Sequence, residues 1–545
     1  MDMKEKAQSV ATGFLILSVA NILVKIMSLA FVPLIRHFLG GDAGYSVYSS
    51  AYYVYAFVYV IATAGFPVAV SKLVSEFCGT DRTEDAIRSF KLARSFLIAV
   101  GAILTAVVMI FAKPIAAFMN NEESWAGILC LAPTLFLCSL LSAYRGFFQG
   151  RKNMRPTAIS QVAEQLVHVA VSFILVIALR SYGIVWAVAG ASVGTAIGAL
   201  AALMIVVYKY NTEKSVISEK IAFERSVREH KGEAFSIISK KDIMKKMLYY
   251  SLPITFSSGV QYAGDLLDNK MIKGGLVASG LTEQGAKSLH GAYMAMRQLI
   301  NVPGSLATAL CISVLPVIAG AFAKKDQKEV SKNTEYGFKL CYLVAVPISF
   351  AMVLFAKPIY TILGYGDNYF LLTFSSLSVL LLCTMHLQSS VLQGVNKMFV
   401  SSSFLCVSVV IKIIMNYFLI RIPGLNIYGA IISSYVSYLI PVLLNYIFIK
   451  KVSKIKFSIT RCLLLPVIAA TVMVLLSYGL YSLLHWLIGF IISGYWGCLI
   501  SFVPAVLFAV LVYYFVLRKL GGLTDDDLEQ ISPKLLRLLK KIKLA

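Results

Sequence analysis

Charge is what this chain is short of. Asp, Glu, Lys and Arg make up 14% of its 545 residues, against about 25% in soluble globular domains. Hydrophobic residues make up 58%, and the mean hydropathy is +0.78. That balance excludes an ordinary soluble enzyme and points to lipid. Acids are scarcer than bases, 27 against 50, for a net charge of +23. None of the nine cysteines forms a CxxC pair, so neither a zinc site nor a redox motif is indicated. No GxxxxGK[ST] segment occurs, so ATP hydrolysis by this chain is not expected. The run GASVGTAIGA (190–199) reads as helix-packing surface. No cleavable signal peptide is expected, because the apolar stretch beginning near Gln8 is too long for an h-region.

Long apolar stretches are what the chain has. About 20 apolar residues span a bilayer, and fourteen such stretches fit between residues 8 and 517. The expected fold is an all-α polytopic membrane protein with fourteen transmembrane helices. The first, second and eighth stretches (8–38, 44–76 and 289–322) are long, so bends are expected at Pro33, at Gly65 and Pro67, and at Pro303 and Gly304.

The basic residues sort by loop. With the N-terminus inside, the outer loops hold only Arg36, Lys113, Arg180, Lys270, Lys273, Lys287, Lys357 and Arg421 of the 50 Lys and Arg. Four more fall within spans, and the rest lie on the other side. That asymmetry predicts both termini in the cytoplasm. It also assigns the positive charge to the anionic lipid surface rather than to nucleic acid. The longest outer loop, about 273–288, is too short for a catalytic domain.

The sequence also repeats itself. FAKPI occurs at 111–115 and again at 355–359. The same offset lays Gln149-Gly150 on Gln393-Gly394 and Met154 on Met398. Long internal repeats in a membrane chain are the construction of many secondary transporters. The expected organisation is an N-lobe (1–211), a cytoplasmic linker with an amphipathic surface helix (212–246), a C-lobe (247–451), two added spans (452–517) and a basic cytoplasmic tail (518–545).

Charges inside spans are the candidate site residues, since each costs about 2.5–3.5 kcal/mol on insertion scales unless buried in protein or facing water. Lys25 lies too deep in span 1 to snorkel and reads as a cavity cation or an ion-pair partner. Arg297 in span 8 and Asp265 and Asp268 in span 7 read as a clamp or a gate. The two aspartates share a helix face. Arg145 and Glu164 sit on neighbouring antiparallel spans, where a salt bridge is the plainer reading and gating or coupling the sharper one. Lys412 reads equally as cavity lining or a buried pair. Arg36, at the outer end of span 1, joins the candidate cations.

The stretch YRGFFQGRKNMRPTAISQVAEQ from Tyr144, with GFPVAVSKLVSE (65–76) and NVPGSLATALCISVLPVIAGAF (301–322), resembles the polysaccharide-transporter branch of the multidrug/oligosaccharidyl-lipid/polysaccharide flippase superfamily. Within it the chain is similar to MurJ-type lipid II flippases and to stage V sporulation protein B-like proteins. The resemblance implies two six-helix bundles around a central cationic cavity, and two C-terminal helices forming a groove for an isoprenoid tail. It implies an undecaprenyl-pyrophosphate-linked cell-wall precursor as cargo, moved to the outer leaflet of the bacterial cytoplasmic membrane. Lys25 takes the place of a span-1 arginine of that family, and Arg297 matches its span-8 arginine. Phe31 stands where a second arginine is usual, and span 2 has none before Gly65, so the cavity is less cationic.

The mechanism so implied is alternating access without a bound cofactor, driven by a coupling ion (Na+ or H+) or the membrane potential. Expected partners are the lipid-linked anionic glycan, membrane lipids and cell-wall synthesis proteins, with a monomer as the working form. The rivals are a flippase for another lipid-linked polysaccharide or sporulation glycan, a multidrug exporter, a membrane glycosyltransferase and a non-transporting scaffold.

Overall fold

The computed structural model describes residues 10–231, 238–395, 397–453, 460–490, 492, 494–525 and 527. Among them there is no strand. The helices are α1 (Val10–Phe38), α2 (Asp42–Thr63), α3 (Phe66–Gly79), α4 (Thr83–Ile110), α5 (Ala112–Phe118), α6 (Trp125–Gly150), α7 (Arg155–Leu179), α8 (Ile184–Lys231) and α9 (Lys240–Ala278). They continue with α10 (Glu283–Ala323), α11 (Gln327–Leu354), α12 (Ala356–Leu363), α13 (Phe370–Ser375), α14 (Ser378–Gly394), α15 (Met398–Leu419), α16 (Ile427–Ser453), α17 (Leu465–Gly489) and α18 (Tyr495–Lys519). Twelve spans among the described residues are long and apolar enough to cross a membrane. The expected spans 247–272 and 289–322 fall in α9 and α10, helices of 39 and 41 residues that are not among those twelve. In α9 the cause is polar content, with Asp265, Asp268, Lys270 and Lys273 on one stretch.

The chain forms two compact units, Met1–Ala295 with Val409–Ala430, and Met296–Ser408 with Ile431–Ala545. This division does not follow the lobe boundary expected at 212–246, because α9 packs against α2, α3 and α4. In the first unit the quoted motifs meet. Cβ atoms added at Gly146 and Gly150 would lie 2.7 Å from the Pro67 carbonyl and 2.6 Å from that of Ser71. Glycine there lets α6 lie directly on α3. At Gly65, between α2 and α3, a Cβ would collide with the backbone carbonyl of Ser251 on α9.

The expected linker starts inside a helix. α8 runs unbroken for 48 residues, and its polar half docks on the α3–α4 turn instead of standing as a separate surface helix. Glu224 accepts from the Thr83 amide at 2.8 Å and from its hydroxyl at 2.6 Å, so it caps the first turn of α4 from outside. Arg225 forks onto Glu84 at 2.7 and 3.0 Å, and Arg151 bonds Glu213 at 2.8 Å. Residues 232–237 of the linker, and the tail from residue 528, lie outside the described residues.

The repeat is written into the backbone. α4 and α11 are both 28 residues long, and each ends on the phenylalanine of FAKPI. Phe111 has φ −96° and ψ 13°, and Phe355 has φ −89° and ψ 12°. The lysine of each copy then stands over a ring, Lys113 over Trp125 at 5.3 Å and Lys357 over Tyr369 at 6.0 Å. In the second unit the added helices cover this corner. The Phe355 ring centroid is 5.7, 5.8 and 5.6 Å from those of Tyr478, Tyr481 and Phe502. Further along, Lys339 bonds Asp527 at 2.6 Å, and Thr524 donates to the same carboxylate.

Candidate functional site

In the first unit the membrane-embedded polar side chains fall into three groups. The first is on α1 and α2. Lys25 is exposed on α1, which packs chiefly on α7. No described residue forms an ion pair or hydrogen bond with its ammonium. An ammonium in mid-span is costly unless it is paired or faces water. Along α2, Tyr45, Tyr48, Tyr52, Tyr55 and Tyr59 form a continuous run of rings, with successive centroids 5.5–6.2 Å apart. Their i+3 and i+4 spacing places them on one helix face. Phe31, where the second arginine of the family would stand, is buried and packs on His168 with centroids 4.7 Å apart.

The second group is ion pairs. Arg36, expected among the cavity cations, is buried and bonded to Asp42 at 2.5 Å. Arg145 bonds Glu164 at 2.7 Å, and its Nε donates to Ser160 at 3.0 Å. Lys412 Nζ donates to Asp268 Oδ2 at 2.7 Å, and Asn416 donates its amide to the other oxygen. Asp268 is 1% exposed and Lys412 7%, so this is a buried pair with its acceptor oxygens occupied. Such an arrangement offsets the desolvation of both charges. Of the two readings open for Lys412, the pair with Asp268 is present. Asp265 lies on α9, half-buried. Asn416 was not singled out from sequence. It lies one helical turn after Lys412, and that i+4 spacing is the signal that could have found it.

The third group stitches the end of the unit opposite the basic loops. Ser46 Oγ and His290 Nδ1 are 2.7 Å apart. Asn121 donates to the Ser46 carbonyl at 3.2 Å and to Ser50 at 3.1 Å. Lys287 bonds Glu123 at 2.7 Å, and Lys273 donates to the Asn120 carbonyl. Gly291 comes so close to the Asp42 carbonyl that any side chain would collide. These bonds tie the α2 and α5–α6 ends to the α9–α10 hairpin.

In the second unit Arg297 lies within α10 and is 8% exposed. Pro33 lies inside α1. Gly65 and Pro67 stand where α2 gives way to α3. Pro303 and Gly304 lie within α10, which continues through them.

A family model described as polysaccharide biosynthesis protein matches residues 10–322, and one described as MatE matches 253–418. The lipid II flippase MurJ of Bacillus subtilis (strain 168) is 24% identical over 536 residues, covering 94% of this chain and 95% of that one. An uncharacterized membrane protein of the same organism, YabM, is 26% identical over 525 residues, covering 95% and 94%. Its stage V sporulation protein B is 23% identical, covering 83% and 86%. Among solved structures, an inward-facing multidrug resistance MATE family transporter of the MOP superfamily gives a TM-score of 0.64 at 15% identity, covering 79% of this chain and 94% of that one. A lipid II flippase MurJ in an inward closed conformation gives 0.63 at 13%, covering 93% and 99%. The chain belongs to the polysaccharide biosynthesis protein family and is a multi-pass membrane transporter of the flippase type, not an enzyme.

Proposed function

We propose that this transporter flips an undecaprenyl-pyrophosphate-linked cell-wall precursor, lipid II, from the cytoplasmic to the outer leaflet by alternating access. The observation that carries the reading is Lys25, an exposed cation in mid-span with no described partner. A diphosphate head needs fixed positive charge where the dielectric is low, and an ammonium there has no structural bond to lose. Full-length similarity to a lipid II flippase supports the choice of cargo. Arg297 is the second head-group cation on this reading, with the isoprenoid tail left in lipid. The ion pairs at Asp268, Glu164 and Arg145 are then the elements that a coupling ion or the membrane potential biases. The basic loops face the cytoplasm, as the positive-inside rule requires.

The loss of family arginines at Phe31 and before Gly65 favours a second reading, a related lipid-linked glycan with a less anionic head. A multidrug exporter that expels cations would need an acid in place of Lys25. The deciding measurement is lipid II translocation in proteoliposomes. Lys25→Ala and Arg297→Ala should each slow it at least about tenfold, the effect of losing one charge-assisted contact, and Lys25→Arg should retain most of the rate. Wild-type rates in both alanine variants would remove the site, and translocation of a different lipid-linked glycan in preference would select the second reading.

A further inference from the structure

A second place in the first unit carries uncompensated positive charge, and it is well separated in sequence from Lys25. At the end opposite the basic loops, the last turns of α9 and α15 and the turn after α5 enclose a cavity of about 570 Å³. That volume is within the range of small-ligand sites, about 300–1,000 Å³. Lys270, Lys273 and Arg421 line it, against a single acid, Glu283.

The three cations differ from their neighbours in what holds them. Arg36, Arg145, Lys287 and Lys412 are each bonded to a carboxylate. Lys270 stands over the Phe118 ring at 3.3 Å, Arg421 over the Tyr417 ring at 3.6 Å, and Lys273 donates to the Asn120 carbonyl. No described carboxylate is within ion-pairing distance of any of them. An aromatic face orients a cation without cancelling its charge. Asn120 is held in the left-handed backbone region, φ 54°, and its side-chain amide covers Gly274. The carbonyl that fixes Lys273 is therefore set by a local turn.

The floor adds an independent observation. Asn416 lines the cavity, is 1% exposed, and spends its amide protons on Asp268. Its Oδ1 is buried with no hydrogen-bond partner. A buried acceptor left unbonded costs about 1–3 kcal/mol, and a donor reaching it from the cavity would relieve that cost. Three cations around an orphaned acceptor are complementary to a phosphate carrying a neighbouring hydroxyl.

We propose that this cavity is an anion site for a hydroxylated phosphate headgroup, distinct from the Lys25 site. Two sources share that chemistry: an anionic phospholipid such as a phosphoglycerol lipid, and the glycosyl diphosphate of the cargo. Arg421 and Lys270 make the charge contacts, Lys273 adds a third, and Asn416 Oδ1 accepts the hydroxyl.

The test uses the full-length protein in phosphatidylcholine nanodiscs, titrated calorimetrically with glycerol 1-phosphate and, separately, with inorganic pyrophosphate at fixed salt. The double variant Lys270→Gln/Arg421→Gln should weaken both ligands about tenfold or more, as loss of charge-assisted bonds does. Arg421→Lys should retain binding. Lys113→Gln, at the same end but over Trp125, should change nothing, and since neither Lys270 nor Arg421 has a part in the transport reading, the result stands apart from it. If the double variant fails to fold, the two single variants replace it. Doping the discs with phosphatidylglycerol assigns the source. Competition in the wild type that disappears in the double variant identifies the lipid headgroup, and selective pyrophosphate binding without competition identifies the diphosphate. Equal affinity in wild type and variants, an equal loss in Lys113→Gln, or no binding of either probe at millimolar concentration overturns the site.

Discussion

Asp268 shows how a charge can be placed in a membrane helix without being a ligand site. Both oxygens are engaged, one by Lys412 and the other by Asn416, and the carboxylate is almost wholly buried. Removing one member leaves the other uncompensated. Asp268→Asn is therefore expected to destabilise the protein by about 3–5 kcal/mol, read as a lower melting temperature in detergent. The double variant Asp268→Asn/Lys412→Met should recover most of that loss, because no charge is then stranded. A double variant no more stable than the single would show that the pair does not act as a unit. The sequence marked both residues as expensive, but it could not choose Lys412 over Arg297 as the partner, because helix periodicity fixes a face and not the facing neighbour. Lys25 stood out in the sequence because depth alone decides that an ammonium cannot snorkel, and the structure leaves its side chain exposed on α1. The Lys270, Lys273 and Arg421 cluster did not stand out, since it joins two helix ends more than a hundred residues apart.

Helices pack here where glycine permits, and the motif around Tyr144 shows it. Gly146 and Gly150 lay α6 on the carbonyls of Pro67 and Ser71, so the two quoted segments are two sides of one contact. Gly146→Val should cost about 1–3 kcal/mol by overpacking, measurable by thermal unfolding. An unchanged melting temperature would mean that the helices can separate freely at this point. At the far end of α8 the exposed Arg225–Glu84 pair contributes little, as surface pairs do, and Glu224 carries more because it satisfies an amide of α4. Glu224→Ala should speed tryptic cleavage within 212–231 several-fold, whereas Arg225→Ala should leave it near wild type. The reverse order would refute this ranking. The polar half of α8 reads from sequence as a linker because its charges run in both signs. Only its partners on the α3–α4 turn reveal it as an extension of a span.

For the whole molecule, duplication was the most legible property. FAKPI marked it, and the matching dihedrals of Phe111 and Phe355 express it. What the duplication could not foretell is the difference in their surroundings. Phe111 is 50% exposed and Phe355 2%, the second being packed against Tyr478 and Tyr481 of α17 and Phe502 of α18. Topology can be tested through the same pair. Lys113→Cys and Lys357→Cys should both react with an impermeant maleimide added to intact cells, and Lys214→Cys should not, with the native chain as background. Labelling of Lys214→Cys alone would invert the orientation. The C-terminal end of the described chain is anchored by Asp527. Burial works against its charge, but hydrogen bonds from Lys339 and Thr524 prevail and hold the carboxyl below its usual value. That stabilisation is present above the ordinary carboxylate range and is lost as pH falls through the lowered value. The loss should register as earlier thermal unfolding in acid that Asp527→Asn no longer shows.

One unbroken helix of 48 residues is about 72 Å long at 1.5 Å per residue, more than twice the roughly 30 Å of a hydrocarbon core. Its protruding half acts as a handle bolted to the first unit near Thr83 and Glu84. An antibody fragment gripping that handle would seize the first unit as one piece.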